Sequence, residues 1–79
     1  MKADRILEKL GYEKQEGYFE TLVYKNKNYD AEIEFDLREQ TILYPCNEET
    51  VAIGLDMEEL QAIYKKCEEL GWISQHKKQ

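Results

Sequence analysis

Apolar residues recur with a helical period at both ends of the chain. Near the start they are Ala3, Ile6, Leu7 and Leu10, and near the end they are Leu60, Ile63, Tyr64, Cys67 and Leu70. This spacing is that of one buried helix face. Asp56 and Glu59 precede the second series at the spacing of a capping box. The pattern predicts helices over residues 2–10 and 56–70. Both run into Leu-Gly-aromatic, so Gly11 and Gly71 are predicted to form left-handed C-caps.

The middle of the chain has the period of two that is typical of strands. Over residues 29–37 apolar side chains alternate with acids, which predicts a strand that buries Ala31, Ile33 and Phe35. Further strands are predicted over residues 18–25 and 41–45, and a possible fourth over 50–54. Residues 11–17 are predicted to be a loop. The alternation in 18–25 is imperfect, so the inward face of that strand stays open.

The predicted element order is α-β-β-β-(β)-α. Short connections make neighbouring strands antiparallel, and the resulting meander has one apolar face. The two helices each have one apolar stripe and must cover that face. The sequence therefore predicts a two-layer α+β domain over residues 1–73, with both terminal helices on one side of the sheet and a frayed tail over 74–79.

Negative charge is concentrated in the middle of the chain. Residues 28–59 contain ten acids and one base, whereas the whole chain of 79 residues has a net charge of −6. Four of these acids are predicted to line one face of the strand 29–37. We call them the acidic strip: Asp30, Glu32, Glu34 and Asp36.

The acidic strip has two interpretations. It is the polar outer face that any exposed antiparallel sheet needs, with Lys25, Lys27 and Arg38 as cross-strand partners. Alternatively, its carboxylates, about 6.7 Å apart along a strand, imitate a nucleic-acid backbone. The first interpretation is the simpler one, and the sequence leaves both open.

No pattern of residues predicts catalysis or a cofactor. The single histidine, His76, lies two residues from Ser74 in the predicted tail, where a nucleophile and its base would not be held together. The glycines are isolated, so no phosphate-binding loop is present. Cys46, Cys67 and His76 are too scattered for zinc. We expect a protein without enzymatic activity, cofactor or metal.

The chain is also expected to be cytoplasmic and to bind neither membranes nor nucleic acid directly. Its longest apolar run is far shorter than the ~20 residues of a spanning helix, and its start has no apolar signal segment. The order α-β-β-β-α is similar to that of double-stranded RNA-binding domains. Their second helix begins with lysines, whereas Asp56, Glu58 and Glu59 occupy that position here and repel phosphate.

Three segments resemble small uncharacterised proteins of phages and prophages of Gram-positive bacteria. The likeness covers Met57 to Trp72, the opening from Ile6 to Tyr12, and Tyr24-Lys25-Asn26. It implies an accessory protein in a bacterial cytoplasm. The expected function is a small non-enzymatic protein-interaction module that binds an unidentified protein partner, as a monomer or weak homodimer. The alternative is an acidic nucleic-acid mimic that inhibits a nuclease or DNA-binding protein.

Overall fold

The computed structural model describes residues 1–28, 30–44 and 55–73. Within them the chain forms an N-terminal helix, a four-stranded meander and a C-terminal helix that packs against the first. The elements are α1 (Ala3–Lys9), β1 (Tyr12–Lys14), β2 (Thr21–Asn26), β3 (Glu32–Asp36), β4 (Thr41–Leu43) and α2 (Met57–Glu69). The predicted α+β class and element order are confirmed.

The sheet has the order β1-β2-β3-β4, and every neighbouring pair is antiparallel. The pairs on the helix side of β2 and β3 are Leu22 with Phe35 and Tyr24 with Ile33. Because side chains alternate along a strand, Thr21, Val23 and Lys25 lie on the opposite side. We call that side, which faces away from both helices, the outer face. The register thus settles which face of the strand predicted over 18–25 points inward.

One hydrophobic core lies between the sheet and the helices. It contains Leu7 from α1, Ala62, Ile63 and Cys67 from α2, and Tyr12, Tyr24, Ala31, Ile33 and Phe35 from the sheet side. The ring of Phe35 meets Tyr24 edge-on at 5.8 Å and lies 6.3 Å from Trp72. The predicted burial of Ala31, Ile33 and Phe35 is confirmed. Phe35 therefore joins the sheet to the aromatic residue that follows α2.

The predicted loop 11–17 is wrong in part, because it contains β1. The amide of Lys27 donates to the carbonyl of Gly11 at 2.8 Å, and the backbone of Tyr12 is paired with Asn26. β1 has only three residues and two of them are exposed, so it lacks the alternation that marks a strand. The other strands are shorter than predicted. The possible strand 50–54 and the tail 74–79 lie outside the described residues.

The predicted apolar stripe of α2 is also partly wrong. Leu60 and Tyr64 were expected to face the core, but they are 42% and 53% exposed. The helix instead buries Glu59 and Lys66, both of which have polar partners on other elements. With Glu59 and Lys66 turned toward these partners, the edge of the predicted stripe that contains Leu60 and Tyr64 faces solvent. Leu37, expected on the inner side of β3, lies beyond the end of that strand and is also exposed.

The predicted C-caps are confirmed at both glycines. At the end of α2 the amide of Gly71 donates to the carbonyl of Glu68, and the amide of Trp72 donates to that of Cys67, both at 3.0 Å. These two bonds form a Schellman motif. In α1 the amide of Gly11 makes the corresponding bond, and the chain then enters β1 directly. The two helix ends meet the sheet in different ways despite their similar sequences.

Gly11→Ala should destabilise the protein more than Gly71→Ala. Both glycines have positive φ, at 100° and 81°, where alanine costs roughly 1–2 kcal/mol. A β-carbon at Gly71 meets open space, whereas at Gly11 it would lie 2.6 Å from the side-chain nitrogen of Asn28 and 3.1 Å from the side-chain oxygen of Asn26, whose amide also holds the carbonyl of Leu10. Urea denaturation of both variants measures the difference. Equal losses would show that the side chains of Asn26 and Asn28 move aside at no cost.

Candidate interaction site on the outer face of the sheet

The acidic strip lies largely where the sequence predicts it. Glu32, Glu34 and Asp36 are alternate residues of β3, are partly exposed, and lie on the outer face. Asp30 precedes the strand and is exposed. Three carboxylates of the strip thus share one rigid strand with neighbours on both sides, and the fourth lies just before it.

Cross-strand neighbours differ for each of the three carboxylates. Glu32 lies opposite Lys25 of β2, as the simpler interpretation of the strip expects. Glu34 has Val23 on one side and Leu43 on the other. Lys27 is instead 3.7 Å from Glu13. In the backbone register a lysine therefore lies opposite one end of the strip, whereas the backbone pairs of Glu34 are both apolar.

Asp36 has a local structural role. Its carboxylate accepts hydrogen bonds from the amides of Arg38 at 3.0 Å and Glu39 at 2.9 Å. These bonds close the turn between β3 and β4, as aspartate side chains often do. Of the three carboxylates on β3, Glu32 and Glu34 are therefore the two that take no part in this turn.

The side chains of Glu32 and Glu34 lie close together. A hydrogen bond to Glu32 raises the pKa of Glu34 above its ordinary value, and burial and the charge of Glu32 act in the same direction. The ionised form of Glu34 is thus disfavoured by its neighbour. A cation placed between the two carboxylates would relieve this repulsion.

Apolar side chains flank Glu34 on the outer face. Val23 is only 1% exposed although it lies on this face, outside the core cluster between sheet and helices. Leu43 on β4 is 56% exposed. Of these two residues only Leu43 offers apolar surface to a partner, and it does so beside the carboxylate of Glu34. The sequence analysis missed this combination, because it depends on the register of three strands.

A buried carboxylate on the other side of the sheet fixes α2. Glu59 accepts a hydrogen bond from the hydroxyl of Tyr12 at 2.7 Å and from the amide of Asp56 at 3.1 Å, and the hydroxyl of Tyr44 lies 3.4 Å away. Burial and the bond to Glu59 raise the pKa of Tyr12 well above its ordinary range. The predicted capping box is confirmed, since Asp56 also accepts from the amide of Glu59. Glu59 thus completes the N-terminal cap of α2 and anchors this helix to β1.

A second polar cluster fixes the other end of the helical layer. Asp4 of α1 accepts hydrogen bonds from the hydroxyl of Tyr24 at 2.8 Å and from Lys66 of α2 at 3.1 Å. Burial raises the pKa of Asp4, but these two bonds outweigh it and hold the pKa below its ordinary value. Nearby, the amide of Ala3 donates to Glu69 at 2.8 Å. Together these contacts join both helices to β2.

The remaining predicted residues add no reactive centre. Cys67 is buried, and burial raises the pKa of its thiol. Cys46, Ser74 and His76 lie outside the described residues. Among the residues the structure describes, no three His, Cys, Asp or Glu side chains form a group that would hold a metal ion. In the same part of the chain no helix is long and apolar enough to cross a bilayer.

Comparison with known proteins gives no match. No family model, no curated protein and no solved structure is significantly similar to this chain.

Proposed function

We propose that this chain is a small protein-interaction module that binds a basic partner protein through the outer face of its sheet. The observation that carries the proposal is the position of Glu34, a carboxylate beside a second carboxylate, Glu32, and between two apolar residues, Val23 and Leu43. A lysine or arginine of a partner would relieve the repulsion between the carboxylates. Apolar side chains around that cation would cover Leu43, so that charge supplies orientation and burial supplies affinity.

The described contacts support a binding role over a catalytic one. The polar groups that are buried or tightly bonded, Glu59 and the Asp4–Lys66 pair, join helices to the sheet. The partly exposed carboxylates of Glu32, Glu34 and Asp36 lie on β3, on the opposite side of the sheet. The proposal includes the setting that the sequence resemblance implies, a phage or prophage accessory protein acting in a bacterial cytoplasm.

A second candidate function is mimicry of nucleic acid. It is favoured by the regular placement of Glu32, Glu34 and Asp36 on one face of β3, where alternate residues are about 6.7 Å apart. Such a row could occupy the basic groove of a nuclease or DNA-binding protein. The pairing of Glu32 with Lys25 and the exposed Leu43 favour a mixed apolar and charged contact instead.

The test is charge reversal on the outer face. We expect Glu32→Lys combined with Glu34→Lys to lower affinity for a partner, first captured from a bacterial lysate, by at least tenfold in calorimetry at low salt. The reversal removes attraction and adds repulsion, while both side chains remain on the exposed face. Circular dichroism should show an unchanged fold.

The matched control is Glu8→Lys combined with Glu16→Lys. Both residues are exposed and lie outside the acidic strip, and the change in net charge is the same. If the control pair weakens binding equally, only total charge matters and the proposed face is wrong. Complete loss of wild-type binding by 0.5 M salt, together with displacement by duplex DNA, would favour mimicry, because exposed charges are screened under those conditions.

A further inference from the structure

The two edges of the sheet differ in charge. In the part of the chain that the structure describes, β1 pairs only with β2 and β4 pairs only with β3, and both edge strands have three residues. β1 carries the exposed Glu13 and Lys14, and Glu13 is 3.7 Å from Lys27. Charged side chains are one means by which proteins prevent the edge of a sheet from pairing with another chain. β4 has no charged residue, so its edge lacks this protection.

β4 offers backbone groups and apolar surface to the same ligand. An edge strand presents unpaired N–H and C=O groups along one side, and these accept another extended chain. All three residues of β4 are exposed. Leu43, on the outer face beside Glu34, is 56% exposed, and Ile42, on the helix side beside Phe35, is 38% exposed. Because side chains alternate along a strand, an added strand would place its side chains next to Leu43 and Ile42 in turn.

The carboxylates of β3 lie one strand away from this edge, on the outer face. Glu34 is paired with Leu43 and Asp36 with Thr41. An added strand would lie about 4.8 Å beyond β4. Lysine and arginine have long stems that lie along apolar surface while the charged end reaches further. The outer side of an added strand is therefore suited to a basic residue whose stem lies over Leu43 and whose charge approaches Glu34. Its helix side, next to Ile42, is suited to an apolar residue.

We propose that the partner contributes an extended segment that pairs with β4 as a further strand, with basic residues on the outer side alternating with apolar residues on the helix side. The inference rests on the proposed function, from which it takes the basic character of the partner. It adds the conformation and the sequence pattern of the segment that binds. Backbone hydrogen bonds to β4 hold the segment, and the alternate side chains give specificity, as when other peptides extend a sheet.

A short peptide in which lysine alternates with valine, with both ends blocked, tests the pairing by nuclear magnetic resonance on the full chain. Because β4 has only three residues, we expect binding in roughly the micromolar to millimolar range. The peptide should shift the amide resonances of Thr41–Leu43 and slow the exchange of amides in β4. Shifts confined to β2 and β3, without protection in β4, would overturn the pairing but leave the basic contact on the outer face. A peptide that shifts no resonance would also overturn it.

Two methylated forms of this peptide separate backbone pairing from charge. One has N-methyl groups on its valines and the other has them on its lysines, so composition and charge are matched. Successive residues of a strand direct their amides to opposite edges, and only one set of amides faces β4. One form should therefore bind at least tenfold more weakly than the other. Equal affinities of the two forms would contradict pairing with β4.

Thr41→Lys places a charge on the edge strand and has a matched control in Thr21→Lys. Both threonines lie on the outer face and flank Asp36, but Thr21 belongs to the inner strand β2. A lysine on an edge strand opposes pairing, and here it also repels the basic segment. Thr41→Lys should weaken binding of the alternating peptide at least tenfold, and Thr21→Lys should weaken it far less. Circular dichroism checks that both variants fold. Equal effects of the two substitutions would overturn the inference.

The same substitution separates this inference from the proposed function. A partner captured from a lysate should be lost on Thr41→Lys as well as on the double reversal Glu32→Lys with Glu34→Lys. If only the double reversal weakens binding, the partner contacts the outer face without extending the sheet, and the pairing with β4 is wrong. If neither change weakens binding, the proposed function and this inference are both wrong.

Discussion

Phe35→Ala should leave little of the native stability. Phe35 is fully buried at the centre of the core and contacts the rings of Tyr24 and Trp72. Removing a buried aromatic ring costs on the order of 3–5 kcal/mol, because both the transfer energy and the packing around the cavity are lost. A chain of 79 residues has a total stability of about 4–12 kcal/mol. We expect the melting temperature, followed by circular dichroism, to fall by tens of degrees.

Leu43→Ala is the matched control for this loss. It also removes a large apolar side chain from the sheet, but Leu43 is more than half exposed on the outer face. Its cost should stay below about 1 kcal/mol, as for most surface substitutions. A cooperative melt of Phe35→Ala near the wild-type temperature would show that Phe35 does not hold the two layers together.

Glu59→Ala should destabilise the protein by about 3 kcal/mol although it removes a charge from an acidic chain. Glu59 is 3% exposed and accepts from the hydroxyl of Tyr12, which is itself buried. Hydrogen bonds to charged groups contribute roughly 1.5–3 kcal/mol, and the hydroxyl left behind has a further cost. The capping box at Asp56 loses one of its two bonds as well. Urea denaturation at pH 7 measures the change.

Two further variants isolate the reason for this loss. Glu58→Ala removes a neighbouring, exposed acid and should cost well under 1 kcal/mol. Tyr12→Phe combined with Glu59→Ala should be less destabilising than the sum of the single changes, because no buried hydroxyl then lacks its acceptor. Additive losses would mean that the bond between Tyr12 and Glu59 contributes little, and that Glu59 acts only as a helix cap.

The sequence predicts well those parts of the fold that follow a regular or repeated local pattern. The alternation from residue 31 to 36 predicts which side of β3 is buried, since a shift of one residue would place Glu32 and Glu34 in the core. The Leu-Gly-aromatic endings predict the positive φ angles of Gly11 and Gly71. In each case neighbouring residues alone determine the local structure, and the tertiary structure agrees with it.

The predictions that were wrong concern elements whose position depends on contacts between residues far apart in the sequence. β1 is paired with β2 across the intervening loop, and its sequence has no alternation of its own. The orientation of α2, with Glu59 buried and Leu60 and Tyr64 facing solvent, accompanies the hydrogen bond between Glu59 and Tyr12, which are 47 residues apart. An acid in an amphipathic helix is ordinarily placed on the solvent side. The burial of Glu59 depends on the position of the Tyr12 hydroxyl, which the sequence alone does not show.

For the candidate site, too, the sequence predicts the local pattern but not the contacts between strands. The period of residues 29–37 predicts all four carboxylates of the acidic strip on one face of a strand; the structure agrees for Glu32, Glu34 and Asp36, whereas Asp30 lies before β3. The neighbours that distinguish them, Lys25 beside Glu32 and Leu43 beside Glu34, depend on the register between strands. Hairpin register is set by turn geometry and packing, which a single sequence with irregular turns does not specify.

The hydrogen bond between the amide of Ala3 and Glu69 joins residues 66 positions apart. The start of α1 and the end of α2 therefore meet, so the described elements from α1 to α2 form almost a closed ring. A circular permutant that joins the end of α2 to the start of α1 through a linker and opens at the exposed turn after Asp36 would keep each of the helices and strands described above intact. In that permutant the contacts between α1 and α2 become local in sequence, so the same native structure would form with a smaller loop-closure entropy between its helices.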